Sequence, residues 1–161
     1  MDIQFGTTTE NGSHGAIPDC APPKSDDPNE LFDLYRFAPV GLALFSLDYR
    51  YLRINDRMAE FNGVTNADHI GHSIFEIVPD VADVTKTRID AVAASAAPLP
   101  RQEIERTNPV TGQLSVYGVH WYPVFNADGA VQAVGAIAED ITEARKHEQM
   151  LRHVARELQH R

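Results

Sequence analysis

Cysteine is nearly missing from this chain. Cys20 is the only one in 161 residues, so a single copy has no disulfide framework. Long apolar runs are missing too, and none approaches the roughly 18 residues of a membrane span. The opening MDIQFGTTTENG has neither a basic start nor an apolar stretch, so no secretory signal is expected. No glycine-rich phosphate loop occurs, and the scattered histidines form no nucleophile–base arrangement. Positive charge is the scarce sign: 14 Lys and Arg against 23 Asp and Glu give a net charge of −9 and a pI near 5.1. That balance argues against nucleic acid or an anionic membrane as the main partner. The expectation is a soluble cytoplasmic chain that is not itself an enzyme.

What is present supports one core. Hydrophobic residues make up 43% of the chain, and its length suits one domain of about 100–150 residues with tails. Residues 1–27 are rich in Gly, Ser, Thr, Asn, Asp and Pro and are expected to form a disordered leader. His14 and Cys20 in that leader lack the partner spacing of a metal site. Asp27 and Pro28 predict a helix start, as N-cap and first helical residue. The flanking helix over 28–38 puts Leu31, Leu34 and Tyr35 on one face with Phe32 at its edge. Pro39 ends it.

Residues 39–141 then read as two strands, a run of helices and three strands. The strands are Gly41–Asp48 and Tyr49–Asn55 around a turn at 47–50. Short helices follow, the first ending at Asn62-Gly63. A longer helix over Val81–Ala97 carries Val81, Val84, Arg88, Ala91 and Val92 at helical spacing. Gln102–Arg106 is a strand, and Asn108-Pro109 with Thr111-Gly112 turns into the longest one. There Tyr117, Val119 and Trp121 share one face, while Val116, His120 and Tyr122 share the other. Asn126-Ala127-Asp128-Gly129 makes the next turn, with Gly129 supplying a positive φ. VQAVGAIA follows as the last strand, and Asp140-Ile141-Thr142 opens a charged helix over 142–161.

The segments APVGLALFSLDYRYLRIN, MAEFNGV, HIGHSIFEIVPD and WYPVFNADGAVQAVGAIAEDIT occur in the order found in PAS domains. From about Leu31 to Thr142 the chain resembles a PAS domain of the bacterial sensor type. The resemblance implies an α+β fold: a five-stranded antiparallel sheet with helices on one face, enclosing a pocket that in many relatives holds a small ligand. The flanking helix and the C-terminal helix lie outside that core. In the latter, Ala144, Leu151 and Leu158 fall seven apart with Val154 between the last two, a thin coiled-coil seam. Its final residues, Arg156-Glu157-Leu158-Gln159-His160-Arg161, are similar to the start of the phosphoacceptor box of HWE-type histidine kinases. That likeness implies His160 as phosphoacceptor in a longer parent, since nothing here binds ATP.

Cofactor signatures of the family are tested by the residues that stand in their places. The LOV flavin cysteine would fall within His72-Ser73-Ile74-Phe75-Glu76, which holds no thiol, and the flavin-contacting Gln would fall at about Ala138. A covalent flavin is therefore not expected. Haem relatives draw an axial His from the long helix, which has none here; His69 and His72 lie earlier. The cofactor stays unknown. By strand alternation and family analogy, Tyr117, Val119 and Trp121 face inward, with Ile74, Ile77, Val84 and Arg88 opposite. These side chains either fill the core, the plainer expectation, or line a ligand pocket. Arg88 either snorkels outward or pairs with an acidic ligand.

The other sheet face, with Val116, His120 and Tyr122, needs a cover. Leu31, Phe32 and Tyr35 supply it in cis, or a second subunit does in trans. A homodimer through Leu151, Val154 and Leu158 suits the latter, with Asp140 and Thr142 as the relay into the helix. The favoured function is a sensory and dimerisation module, the input domain of a histidine kinase with a downstream kinase or effector partner. The alternative is a standalone PAS protein binding a small molecule or protein.

Overall fold

Alternating apolar residues build the sheet, and the computed structural model of the chain describes residues 28–161. The leader at 1–27, with His14, Cys20 and the Asp27 cap, lies outside the described residues. Five strands, β1 (Gly41–Ser46), β2 (Tyr51–Ile54), β3 (Leu99–Thr107), β4 (Leu114–Phe125) and β5 (Val131–Asp140), form one antiparallel sheet. Their order is β2-β1-β5-β4-β3, so the first and last strands pair at the centre. Pro100 falls in β3, an edge strand, where its missing N–H leaves no gap in the interior ladder.

Four helices connect β2 to β3: α2 (Asp56–Asn62), α3 (Asn66–His69), α4 (Ile74–Ile77) and α5 (Ala82–Ser95). They pack on the face that carries Ala43, Phe45, Tyr117, Val119, Trp121, Val134, Ala136 and Ala138, all buried. Phe61, Ile74, Ile89 and Val92 oppose them and are buried as well. Burying each of the larger side chains contributes about 1.5–3 kcal/mol. Ring pairs add direction: Phe61 and Tyr117 centroids lie 4.8 Å apart, Phe45 and Tyr51 4.9 Å.

Helix α1 (Pro28–Arg36) precedes the sheet and α6 (Thr142–Gln159) leaves it. Asn55 joins α1 to the core. Its amide nitrogen donates to the carbonyls of Tyr35 (3.0 Å) and Val40 (2.9 Å), and its oxygen accepts from the N–H groups of Leu42 (2.8 Å) and Met58 (3.0 Å). The last of these caps α2. The β4–β5 turn is held by Asn126, whose oxygen accepts from Asp128 and Ala130, with Gly129 at φ 80°.

The structure corrects the phase of α5. Its buried residues are Ala82, Thr85, Ile89 and Val92. Val84 is 39% exposed, and Arg88 is half-buried over a shallow outer groove beside Asp83 and Gln102. The expected stripe and the real one differ by one residue, or about 100° of helix. Thr85 takes an inward position that a polarity pattern assigns to Val84.

Of the two covers expected for the outer sheet face, the one in cis is incomplete. Leu31 and Phe32 stay 70% and 60% exposed rather than covering it. Only Tyr35 reaches the sheet, its hydroxyl donating to the Leu42 carbonyl at 3.3 Å. Burial pushes that phenol up to about 12. Tyr122 lies flat over Gly135, where a Cβ would run into its ring, while His120 is exposed.

Candidate functional site

The inner faces of sheet and helices do not close completely. They leave a cavity of about 70 Å³, roughly half the ~150 Å³ of an apolar cavity that takes up benzene. Phe45, Tyr51, Phe61, Tyr117 and Trp121 form its aromatic wall, and Val119, Ala136 and Ala138 its floor. Its smallness follows from those rings, which fill most of the interior. Room remains because β5 contributes only alanines at 136 and 138.

One wall is polar. Arg106 projects inward from β3, in phase with Ile104, and its side chain is 9% exposed. Its Nε donates to Asp80 at 2.7 Å and its second terminal nitrogen donates to the same carboxylate at 3.3 Å. The first terminal nitrogen donates to the Asn62 oxygen at 2.7 Å. The Asn62 amide nitrogen in turn donates to His69 Nε2 at 3.0 Å and approaches the Tyr51 hydroxyl at 3.4 Å. His69 is fully buried, with Nδ1 2.7 Å from the Thr65 carbonyl. That carbonyl only accepts, so Nδ1 carries the proton and Nε2 offers its lone pair to Asn62. Every polar group in the chain Asp80–Arg106–Asn62–His69–Thr65 has a partner, which is what a buried network requires.

Burial pushes the Tyr51 phenol well above its ordinary value. Burial likewise lowers the His69 imidazole from its ordinary 6.5, against an opposing bond to the Thr65 carbonyl. The native state therefore stays neutral at His69 where the unfolded chain begins to bind a proton. Its contribution to stability is fully present above 6.5 and is lost as pH falls from there towards the lowered folded value. Urea midpoints are expected to drop between about pH 7 and pH 5, and His69→Gln to flatten that segment. The exposed carboxylates titrate lower: hydrogen bonds from Ser46, His72 and Lys86 hold Asp48, Glu76 and Asp90 down. Equal slopes in the two proteins would remove His69 as the cause.

Of the residues expected at a pocket, Tyr117, Val119 and Trp121 meet at the cavity. Ile74 is buried in the core behind it, and Ile77 sits on an outer rim with Pro79 and Asp80. Val84 and Arg88 are elsewhere, on the outer side of α5. Arg106, Asn62 and His69 were missed as site residues. Strand alternation with Ile104 signalled Arg106, but no local pattern announces which loop carboxylate will meet it. Among the described residues, no cluster of His, Cys, Asp or Glu is able to hold a metal ion. No described helix is long and apolar enough to cross a membrane.

The cavity wall adjoins the base of α6. Tyr117 lines the cavity, and its neighbour Val116 holds the helix start through its backbone. The Val116 carbonyl accepts from Ile141 N–H at 2.9 Å, and its N–H donates to the Thr142 hydroxyl at 3.0 Å. Asp140 accepts from Thr142 N–H at 3.0 Å. Arg145, one turn on, forms an ion pair with Glu103 of β3. Beyond this base α6 leaves the sheet, with Leu151, Val154 and Leu158 at 71%, 47% and 66% exposure and His160 exposed at its end.

Comparison with known proteins agrees with this architecture. The family model described as the PAS fold matches residues 37–146, well over half of the chain. The chain belongs to the PAS-fold family. Among solved structures it is similar to VqmA of Vibrio cholerae, with 18% identity and a TM-score of 0.66 over 72% of this chain and 52% of VqmA. It is also similar to the PAS domain of Bordetella pertussis BvgS, with 20% identity and a TM-score of 0.58 over 80% and 96%. A sensory box sensor histidine kinase from Vibrio cholerae gives 20% identity and a TM-score of 0.53 over 71% and 88%. The chain thus spans about half the length of VqmA, and identities this low speak for the fold alone. No curated protein matches the sequence.

Proposed function

We propose that the chain is a sensory PAS module that couples the state of its inner cavity to the orientation of α6, as the input domain of a histidine kinase. The observation that carries this is the adjacency of Tyr117, on the cavity, and Val116, on the helix base. A strand shift that makes room beside Tyr117 displaces the anchor of Ile141 and Thr142, because backbone neighbours move together. The exposed apolar seam at Leu151, Val154 and Leu158 supports a parallel homodimer, with Leu31 and Phe32 of the flanking helix adding apolar surface. In a longer parent, His160 is the candidate phosphoacceptor. That a sensory box sensor histidine kinase carries a domain of the same fold is in keeping with the kinase side.

A second reading has its own support. VqmA has been solved bound to DPO and in a complex with ligand and DNA. A ligand-binding PAS domain with a non-kinase output is that alternative, and a net charge of −9 argues against a nucleic-acid contact made by this chain itself.

Cavity filling tests the relay. Ala138→Val narrows the cavity from β5 and is expected to change hydrogen exchange of the α6 amides at 143–147 by several-fold. Combined with Thr142→Val, which removes one of the two bonds to Val116 and leaves that from Ile141 N–H, the change should shrink. If Ala138→Val alters β4 and β5 but leaves α6 untouched, there is no relay. Sedimentation equilibrium of the same samples checks the dimer, which a monomer at all concentrations would rule out.

A further inference from the structure

Trp121, one of the residues lining the cavity, carries a polar atom that the fold does not satisfy. Trp121 is 3% exposed, and its ring lines the cavity beside Phe45, with centroids 6.1 Å apart. Its indole N–H is buried and has no acceptor among the described residues. A buried donor without a partner is costly, about 1–3 kcal/mol, and an aromatic site with one orphaned donor is built for an acceptor. The charge requirement follows from Arg106, the one cation at the cavity. All three of its nitrogens are engaged, two on Asp80 and one on Asn62. An anion would have to compete with Asp80 for a guanidinium that this carboxylate already neutralises, and a cation would meet that guanidinium. Both penalties fall on charged ligands only.

We propose that the cavity binds a compact, uncharged, largely apolar molecule that carries a hydrogen-bond acceptor, a carbonyl, ether or ring nitrogen, for the Trp121 indole N–H. This rests on the cavity reading above and adds the chemistry of its ligand. Size follows from volume: at about 70 Å³ the unaltered cavity takes a molecule smaller than benzene. Anything larger has to move Met58 or Val81 on the helical side, both only partly buried at its edge. The other buried atom without a partner, the Gln102 side-chain oxygen on β3, lies outside the cavity lining and is the competing acceptor.

Trp121 is the only tryptophan in the chain, so ¹⁵N-labelled protein gives a single indole cross-peak that needs no assignment. Acetone supplies a small neutral acceptor, and xenon fills apolar cavities with no acceptor. Acetone is expected to move the indole proton downfield saturably. Xenon should shift the methyl groups of Val119 and Ala136 without that downfield move. Trp121→Phe adds space for both probes and should weaken acetone relative to xenon about threefold to tenfold, the size of one hydrogen bond. If xenon binds but acetone produces no indole shift of its own, the acceptor inference falls and the cavity reading stands. If neither probe perturbs the cavity residues, both fall. If Gln102→Met alone moves the indole resonance upfield and acetone adds nothing, the N–H belongs to Gln102 and the inference is overturned.

Discussion

Asn55→Ala is expected to remove about 3–4 kcal/mol of stability. Asn55 is 1% exposed and makes four hydrogen bonds, each to backbone. Loss of a helix cap alone costs about 0.5–2 kcal/mol. The remainder comes from Leu42 N–H and the Val40 carbonyl, left partly buried without partners at about 1–3 kcal/mol each before water relieves them. Urea denaturation measures the loss, and the melting temperature should fall by on the order of 15 °C. Asn55→Asp separates the two roles. It keeps acceptance from Leu42 and Met58 but cannot donate to Tyr35 and Val40, so it should free α1 while sparing α2. A loss below about 1 kcal/mol for alanine would mean that water replaces the side chain.

Arg106→Met is expected to cost about 2–3 kcal/mol and to raise the proton affinity of His69. The Arg106 side chain is 9% exposed whereas that of Asp80 is 49% exposed, so the pair is screened on one side and is worth less than a fully buried one. What makes the substitution expensive is the Asn62 oxygen, left unpartnered inside the network. Methionine fills the space without adding a polar group. The guanidinium is also among the influences that lower His69. Without it, His69 should titrate closer to 6.5, and the pH window of its stability contribution should narrow from the acid side. A double-mutant cycle with Asp80→Ala isolates the ion pair. If Arg106→Met leaves both stability and the His69 titration unchanged, the network carries no energy.

The elements legible in the sequence are those whose signals are local. Alternation in Tyr117, Val119 and Trp121 placed their shared face because a strand has no other way to arrange three successive odd positions. Asn62-Gly63 and Asn126 to Gly129 marked stops and turns, since a residue at positive φ favours glycine whatever surrounds it. The Asp140-Ile141-Thr142 junction was legible as well, although Thr142 turns out to bond Val116 on β4.

The errors have one origin. Helix α5 has few strongly apolar residues, so its stripe is weak, and Thr85 with Ile89 wins the inward phase only because the cavity side of the sheet needs small and branched groups there. Arg88 drew attention as a cation among apolar neighbours, yet it sits on the outer side. Arg106, in a polar strand, enters the interior because Asp80 and Asn62, 26 and 44 residues away, come to meet it.

Strand faces, turns and the position at which α6 begins are therefore legible in the sequence itself, because each is signalled by residues within a few positions of one another. The fold class was legible through the order of segments that resembles PAS domains. The cavity, its polar wall, the unpartnered Trp121 N–H and the identity of the buried cation belong to the tertiary structure. They are set by which distant side chains share a volume, and contacts of that kind leave no period for a sequence to display.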